Sequence, residues 1–191
     1  VEKKYNQTSI YIKGNQELKA NNIDVPSDLS SSAFFIIAAL INKGSKINLN
    51  NININPSRDG ILKALKKMGS KINIKNQRTL SGEIVADIEV EYSNLIGCEL
   101  DAEMAKFMID EYPILSIAAA FAKGTSIFRG LKELKVKESD RLELIRLNLV
   151  NCDCDCQVIN EDLMISPAEK YIPKRNTTST DFVHRIAMSF T

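Results

Sequence analysis

Tryptophan is absent from this 191-residue chain, and histidine occurs once. Arginine is scarce, with seven residues, so lysine is the default surface cation and an arginine is the more informative residue. No charge sign dominates: 25 Lys and Arg stand against 24 Asp and Glu, for a net charge of +1. That balance excludes the strong basic excess of a dedicated nucleic-acid binder. The longest apolar run, Ala33 to Ile41, is too short to span a bilayer, so no membrane insertion is expected. The first residues carry neither a secretory-signal pattern nor a basic amphipathic leader. Four cysteines do not make a disulfide framework at this length, so reduced thiols and a cytoplasmic location are expected.

What is present is an ordinary globular composition, 44% hydrophobic, in a chain long enough for a substantial core. Ile, Asn and Lys together supply 59 residues, a bias that points to an AT-rich coding sequence rather than to a function.

A pattern recurs after about eighty residues. Ala38-Ala39-Leu40-Ile41-Asn42-Lys43-Gly44 leads into Ser45 to Leu49, and Ala118-Ala119-Ala120-Phe121-Ala122-Lys123-Gly124 leads into Thr125 to Phe128. Both read as a helix closed by glycine, then a strand. A second helix follows each, Ser57 to Met68 ending at Gly69 and Glu138 to Val150 ending near Asn151. Two strands follow each of these: Lys71–Ile74 and Ile84–Glu91, then Cys154–Ile159 and Leu163–Ser166. The unit is strand, helix, strand, helix, strand, strand, spanning about 5–92 and 98–166, with an incomplete third from about 170 that begins near Ile172 and enters its first helix at His184. The first helix of each unit is apolar nearly all round and is expected to be buried; the second is amphipathic. No low-complexity linker divides 1–191, which reads as one domain. The chain starts at Val1 without Met and stops at Thr191 within a helical pattern, so it reads as a piece of something longer; a short natural terminal helix is the alternative.

Three places could carry chemistry. Glu133 to Arg141 runs into a helix N-terminus, where unpaired N–H groups favour anions. Lys137 and Arg141 are four apart and could clamp an anion from one side of a first turn, with Glu138 between them as acid or base. The same run also reads as a solvated cap, with Ser139 capping. Asp110, in Ile109 to Leu115, precedes the most apolar helix and is either a cap or a carboxylate held for function. His184-Arg185 opens a third apolar helix, where a lone histidine is equally a structural residue. All three lie at helix N-termini in related positions and could converge on one anionic ligand. Cys152-Asp153-Cys154-Asp155-Cys156 alternates as a strand would, with its thiols on one face. Small packed residues suit it better than zinc, for which only Cys98 or His184 remains as a fourth ligand. Asp28-Leu29-Ser30-Ser31-Ser32 reads as a cap that could also receive a phosphate.

These segments together resemble the family of 5-enolpyruvylshikimate-3-phosphate synthases. The matching pieces are Asp28 to Phe35, Asn55 to Gly60, Met68-Gly69, Ile109 to Ile114, Glu133 to Arg141 and His184 to Met188, in family order over nearly the whole chain. The resemblance implies an α/β fold of repeated βαβαββ units around buried parallel helices, an inside-out α/β barrel. It implies transfer of the enolpyruvyl group of phosphoenolpyruvate to the 5-hydroxyl of shikimate 3-phosphate, with release of phosphate and with no metal or redox cofactor. Carried over by motif, Asp110 contacts the shikimate hydroxyls as base, Lys137 contacts shikimate 3-phosphate, and Glu138 handles the proton at the methylene. Arg141 and Arg185 bind phosphoenolpyruvate, and His184 is a secondary acid. A second domain would complete the site, and a monomer is implied for the complete protein. Two departures stand out: Val183 where the family has Asp before His-Arg, and Asn151 in place of a Gly. The other readings are a non-catalytic domain that binds a phosphorylated ligand or a protein, and the sister transferase acting on UDP-N-acetylglucosamine, against which the Lys137-Glu138-Arg141 group argues.

Overall fold

The computed structural model describes residues 2–4, 7–167 and 178–190. The strand expected near Ile172 lies outside the described residues. Strands β1 (Glu2–Lys4) and β2 (Gln7–Ser9) form a short hairpin, and the segment after it runs exposed to Ser27, which bridges to Ile52. Helix α1 (Leu29–Ile41) starts at Asp28, whose carboxylate accepts from the Ser31 N–H (2.8 Å) and hydroxyl (2.7 Å). That is side-chain capping of otherwise unpaired helix donors. Ala33, Ile36, Ile37 and Leu40 are buried, but Phe35 is 63% exposed. The all-round burial expected of this helix therefore fails along one flank, because no described element covers it.

Strand β3 (Lys46–Asn53) is followed by α2 (Gly60–Lys67), β4 (Lys71–Leu80) and β5 (Glu83–Glu91). These form an antiparallel sheet in the order β3-β5-β4. Helix α2 begins three residues later than expected. The Asn55 carboxamide oxygen takes the Ser57 N–H (2.9 Å) and hydroxyl (2.8 Å), locking Asn55 to Arg58 into a turn. Both outer strands carry an irregularity, near Asn51 and Asn76, which sit at left-handed φ. Asp87 on the central strand serves both, accepting from the Asn51 N–H (3.0 Å), the Asn76 amide (2.9 Å) and Arg78 (3.0 Å). These three donors hold its carboxyl down at about 2.

The second sheet has the order β6 (Glu99–Leu100), β7 (Ser126–Phe128), β9 (Asp162–Ser166), β8 (Asp155–Ile159), with β6 parallel to β7 and the rest antiparallel. Between β6 and β7 lie α3 (Ala105–Met108) and α4 (Tyr112–Ala120). Between β7 and β8 lies α5 (Arg141–Asn151), and α6 (His184–Ser189) closes the described chain. Helix α4 packs between α1 and α6, with Tyr112, Leu115, Ala118 and Ala119 fully buried.

Helices α2 and α5 end alike. The Gly69 N–H bonds Lys66 O and the Ser70 N–H bonds Leu65 O; the Asp153 N–H bonds Val150 O and the Cys154 N–H bonds Leu149 O. This is the Schellman arrangement, which requires a left-handed residue after the cap. Gly69 supplies it at φ 79° and Asp153 at φ 62°. The glycine position of the second copy is thus Asp153, not Asn151, which is still helical. For the same reason Cys152 caps α5 and lies off the strand; only Cys156 is on β8, with Cys154 buried just before it. The segment joining the two sheets, Tyr92 to Cys98, is tied to both halves. Ser93 N–H bonds Leu40 O, Ile96 N–H bonds Met68 O, and Gly97 N–H bonds Lys123 O. Gly97 has no room for a side chain, since a Cβ there would sit 2.3 Å from Thr125 O. Among the described residues no helix is long and apolar enough to cross a membrane.

Candidate active site

Pro113, the second residue of α4, lacks the N–H that a helix continuous with α3 would donate to Ile109. The chain breaks there, and Asp110 sits in the break. Its carboxylate caps nothing: Glu111 holds the cap position of α4, and its side chain does not bond the helix's own N–H groups. Instead Asp110 faces three cations from three places in the chain. Arg141 Nη1 is 3.1 Å from Oδ1, Lys137 Nζ is 3.9 Å from Oδ1, and Arg185 Nη2 is 3.7 Å from Oδ2.

The start of α5 differs from the sequence expectation. Asp140, not Ser139, caps it, accepting from the Glu143 N–H at 3.0 Å. Lys137 and Glu138 therefore precede the helix, and Lys137 has extended backbone. Lys137 and Arg141 meet at Asp110 through this bend, not through one helical turn. The Arg141 side chain is 4% exposed and its Nη2 bonds Glu138 Oε2 at 2.6 Å, while Glu138 itself is 69% exposed. Its own backbone N–H, then Arg141, hold the Glu138 carboxyl below the ordinary value. Buried Nε of Arg141 has no partner among the described residues, while both terminal nitrogens are engaged by Asp110 and Glu138.

His184 opens α6 as an exposed residue, and among the described residues no hydrogen bond or ion pair joins it to the cluster. Val183 has no acceptor, so α6 starts without a side-chain cap, and Val183 is buried instead. The structure thus gathers Asp110, Lys137, Glu138, Arg141 and Arg185 and leaves His184 beside them.

Sequence reasoning missed Glu111, which is only 3% exposed beside Asp110. Burial pushes its carboxyl up, against the Ser30 hydroxyl bonded to it and the nearby Arg185 and Arg58; Asp110 pushes the same way as burial. The Ser30 hydroxyl also accepts from Arg58 Nη2 at 3.0 Å. The one signal was the second carboxylate of the Asp110-Glu111 pair before an apolar helix. A pocket of about 190 Å³ lies against Arg58, Lys106, Asp110 and Glu111. An apolar groove of about 470 Å³ lies apart from the charges, along α1, α4 and α6, between Phe34, Ile37, Ile117, Phe121 and Met188. Among the described residues no group of three His, Cys, Asp or Glu could hold a metal ion.

A family profile described as EPSP synthase (3-phosphoshikimate 1-carboxyvinyltransferase) matches residues 1–191. The chain belongs to the EPSP synthase family. Among EPSP synthase relatives, a 3-phosphoshikimate 1-carboxyvinyltransferase of Cereibacter sphaeroides is 45% identical over 95% of this chain and 40% of its own length. One of Rhodospirillum rubrum is 43% identical over 96% of this chain and 41% of its own length. An EPSP synthase structure from Acinetobacter baumannii superposes with a TM-score of 0.84 at 35% identity, covering 92% of this chain and 40% of that one. The fold is therefore the α/β fold of EPSP synthases. The chain spans about two-fifths of the length of the relatives it matches.

Proposed function

We propose that this chain supplies one side of an active site that moves the enolpyruvyl group of phosphoenolpyruvate onto the 5-hydroxyl of shikimate 3-phosphate. The observation that carries the reading is the convergence of Arg141, Lys137 and Arg185 on Asp110, in a chain matched to EPSP synthases from end to end. Three cations leaning on one carboxylate are poised for better anions. The phosphate and carboxylate of phosphoenolpyruvate draw Arg141 and Arg185 into charge-assisted contacts, and the 3-phosphate of the shikimate draws Lys137. Asp110 takes the hydroxyl proton as the oxygen bonds C2. Glu138 gives a proton to the methylene carbon. Loss of Arg141 to the ligand and loss of water both raise the Glu138 carboxyl from its present low value, which is the direction an acid needs. The tetrahedral adduct then returns a methyl proton to the Glu138 carboxylate as its C2–O bond to phosphate breaks, leaving the enol ether and free phosphate. His184, at the rim, is a secondary acid.

Residues 1–191 are proposed as one domain, with units about 5–92 and 98–166 and an incomplete third from about 170. A second domain closes over it, and the complete protein is a cytoplasmic monomer. Water exclusion on closure is what strengthens these contacts, so the chain alone should be inactive or nearly so. Calorimetric titration of the chain with each substrate, beside phosphate release after mixing with a separately made partner domain, tests this. Activity only in the mixture supports the reading. Silence from two domains shown to associate overturns it in favour of a non-catalytic binding domain.

A further inference from the structure

Arg185 is presented by a segment that is costly to hold. Thr180 to Val183 is a tight turn closed by a 2.7 Å bond from Val183 N–H to Thr180 O. Its two central residues, Asp181 (φ 43°) and Phe182 (φ 60°), are both left-handed and neither is glycine. Such residues cost free energy that neighbouring structure must offset. The Phe182 side chain is fully exposed and offsets nothing. On the far side of the turn Val183 is buried. On the near side stands Asn148 of α5, 2% exposed, gripping both polar groups of one residue: its Nδ2 donates to Ser179 O at 2.8 Å and its Oδ1 accepts from Ser179 N–H at 3.0 Å. A carboxamide used this way replaces a strand neighbour. Asn148 lies seven residues after Arg141, on the same buried face of α5. One helix therefore carries one anion-binding guanidinium and moors the segment that carries the other.

We propose that Asn148 is a positioning residue, fixing Arg185 relative to Arg141 and Asp110 through the Ser179 backbone. This rests on the functional reading above, in which Arg185 meets phosphoenolpyruvate. In the full-length protein, Asn148→Ala is expected to raise KM for phosphoenolpyruvate about tenfold while kcat changes less than roughly threefold. KM for shikimate 3-phosphate should hold, because Lys137 does not depend on this mooring. Adding Phe182→Gly, which removes left-handed strain without removing a contact, should recover part of the lost affinity; loss of general stability would not be repaired so selectively. Modification of Arg185 by phenylglyoxal, read by peptide mass, should quicken in Asn148→Ala and needs no turnover. If Asn148→Ala does not fold, Asn148→Ser keeps one bond and must show the same changes in smaller degree. Unchanged KM and unchanged Arg185 reactivity in the folded variant overturn the proposal, as does equal loss of affinity for both substrates without recovery by Phe182→Gly. A wild-type protein that does not turn over phosphoenolpyruvate sinks the functional reading, and Arg185 reactivity still decides the mooring.

Discussion

Asp110 is a carboxylate surrounded by more positive charge than it needs, which is what an anion site looks like before its ligand arrives. Asp110→Asn keeps the shape and removes the proposed base. In the full-length protein turnover is expected to fall by about two orders of magnitude or more with the melting temperature little changed, and steady-state kinetics beside a thermal melt checks both. The thiols make a second prediction at this scale. Burial pushes Cys156 up to about 12, whereas Cys152 is half-buried at the end of α5 and raised less far. In a native alkylation series at pH 8, Cys152 should label well before Cys156, since only thiolate reacts. Much of the charged cluster was legible from residue type and spacing, because scarce arginines and a carboxylate before an apolar helix stand out. The Ser30–Arg58–Glu111 network and Asn148 were not. The first joins residues brought together only by folding. The second is an amide inside a helix, which by sequence looks solvated.

Among elements, helix ends and sheet irregularities decide the local stability. Asp153 does the work of a glycine at the end of α5. At the matching end of α2, Gly69→Ala is expected to destabilise the protein by about 1–2 kcal/mol in urea melts, because alanine must adopt the left-handed backbone that glycine takes freely. Asp87 holds irregularities in both neighbours of β5. Its carboxyl lies below its unfolded value of 3.8, at about 2, so its stabilising effect is complete above 3.8 and drains away as pH falls toward 2. Asp87→Asn should flatten the acid limb of a stability–pH curve in that window and leave neutral pH to report the loss of the carboxylate's contacts; an unchanged acid limb would remove Asp87 from it. The helix-glycine-strand pattern was readable because its punctuation is chemical. The length of β4 was not: after Ile74 its residues are almost all exposed, so no alternation marks the strand.

For the whole molecule, two helix-bearing sheets share one continuous core, and charge and greasiness are sorted to different places. The charged cluster gathers where helices begin, whereas the apolar groove leaves Phe121 47% and Met188 48% exposed. The chain by itself should bind an environment-sensitive hydrophobic dye, and Phe121→Lys should reduce that signal with a small change in melting temperature; a fall of many degrees would mean the face is packed after all. The Tyr92–Cys98 segment has a consequence for synthesis. Every partner of the first sheet lies before it in the chain, so by the time Ser93 reaches Leu40 that sheet has nothing left to wait for. The bonds of Leu95 and Gly97 to Lys123, and of Cys98 to Ser126 and Ile127, need later residues. A nascent chain can therefore finish its first half on the ribosome and offer the second a completed wall to assemble against.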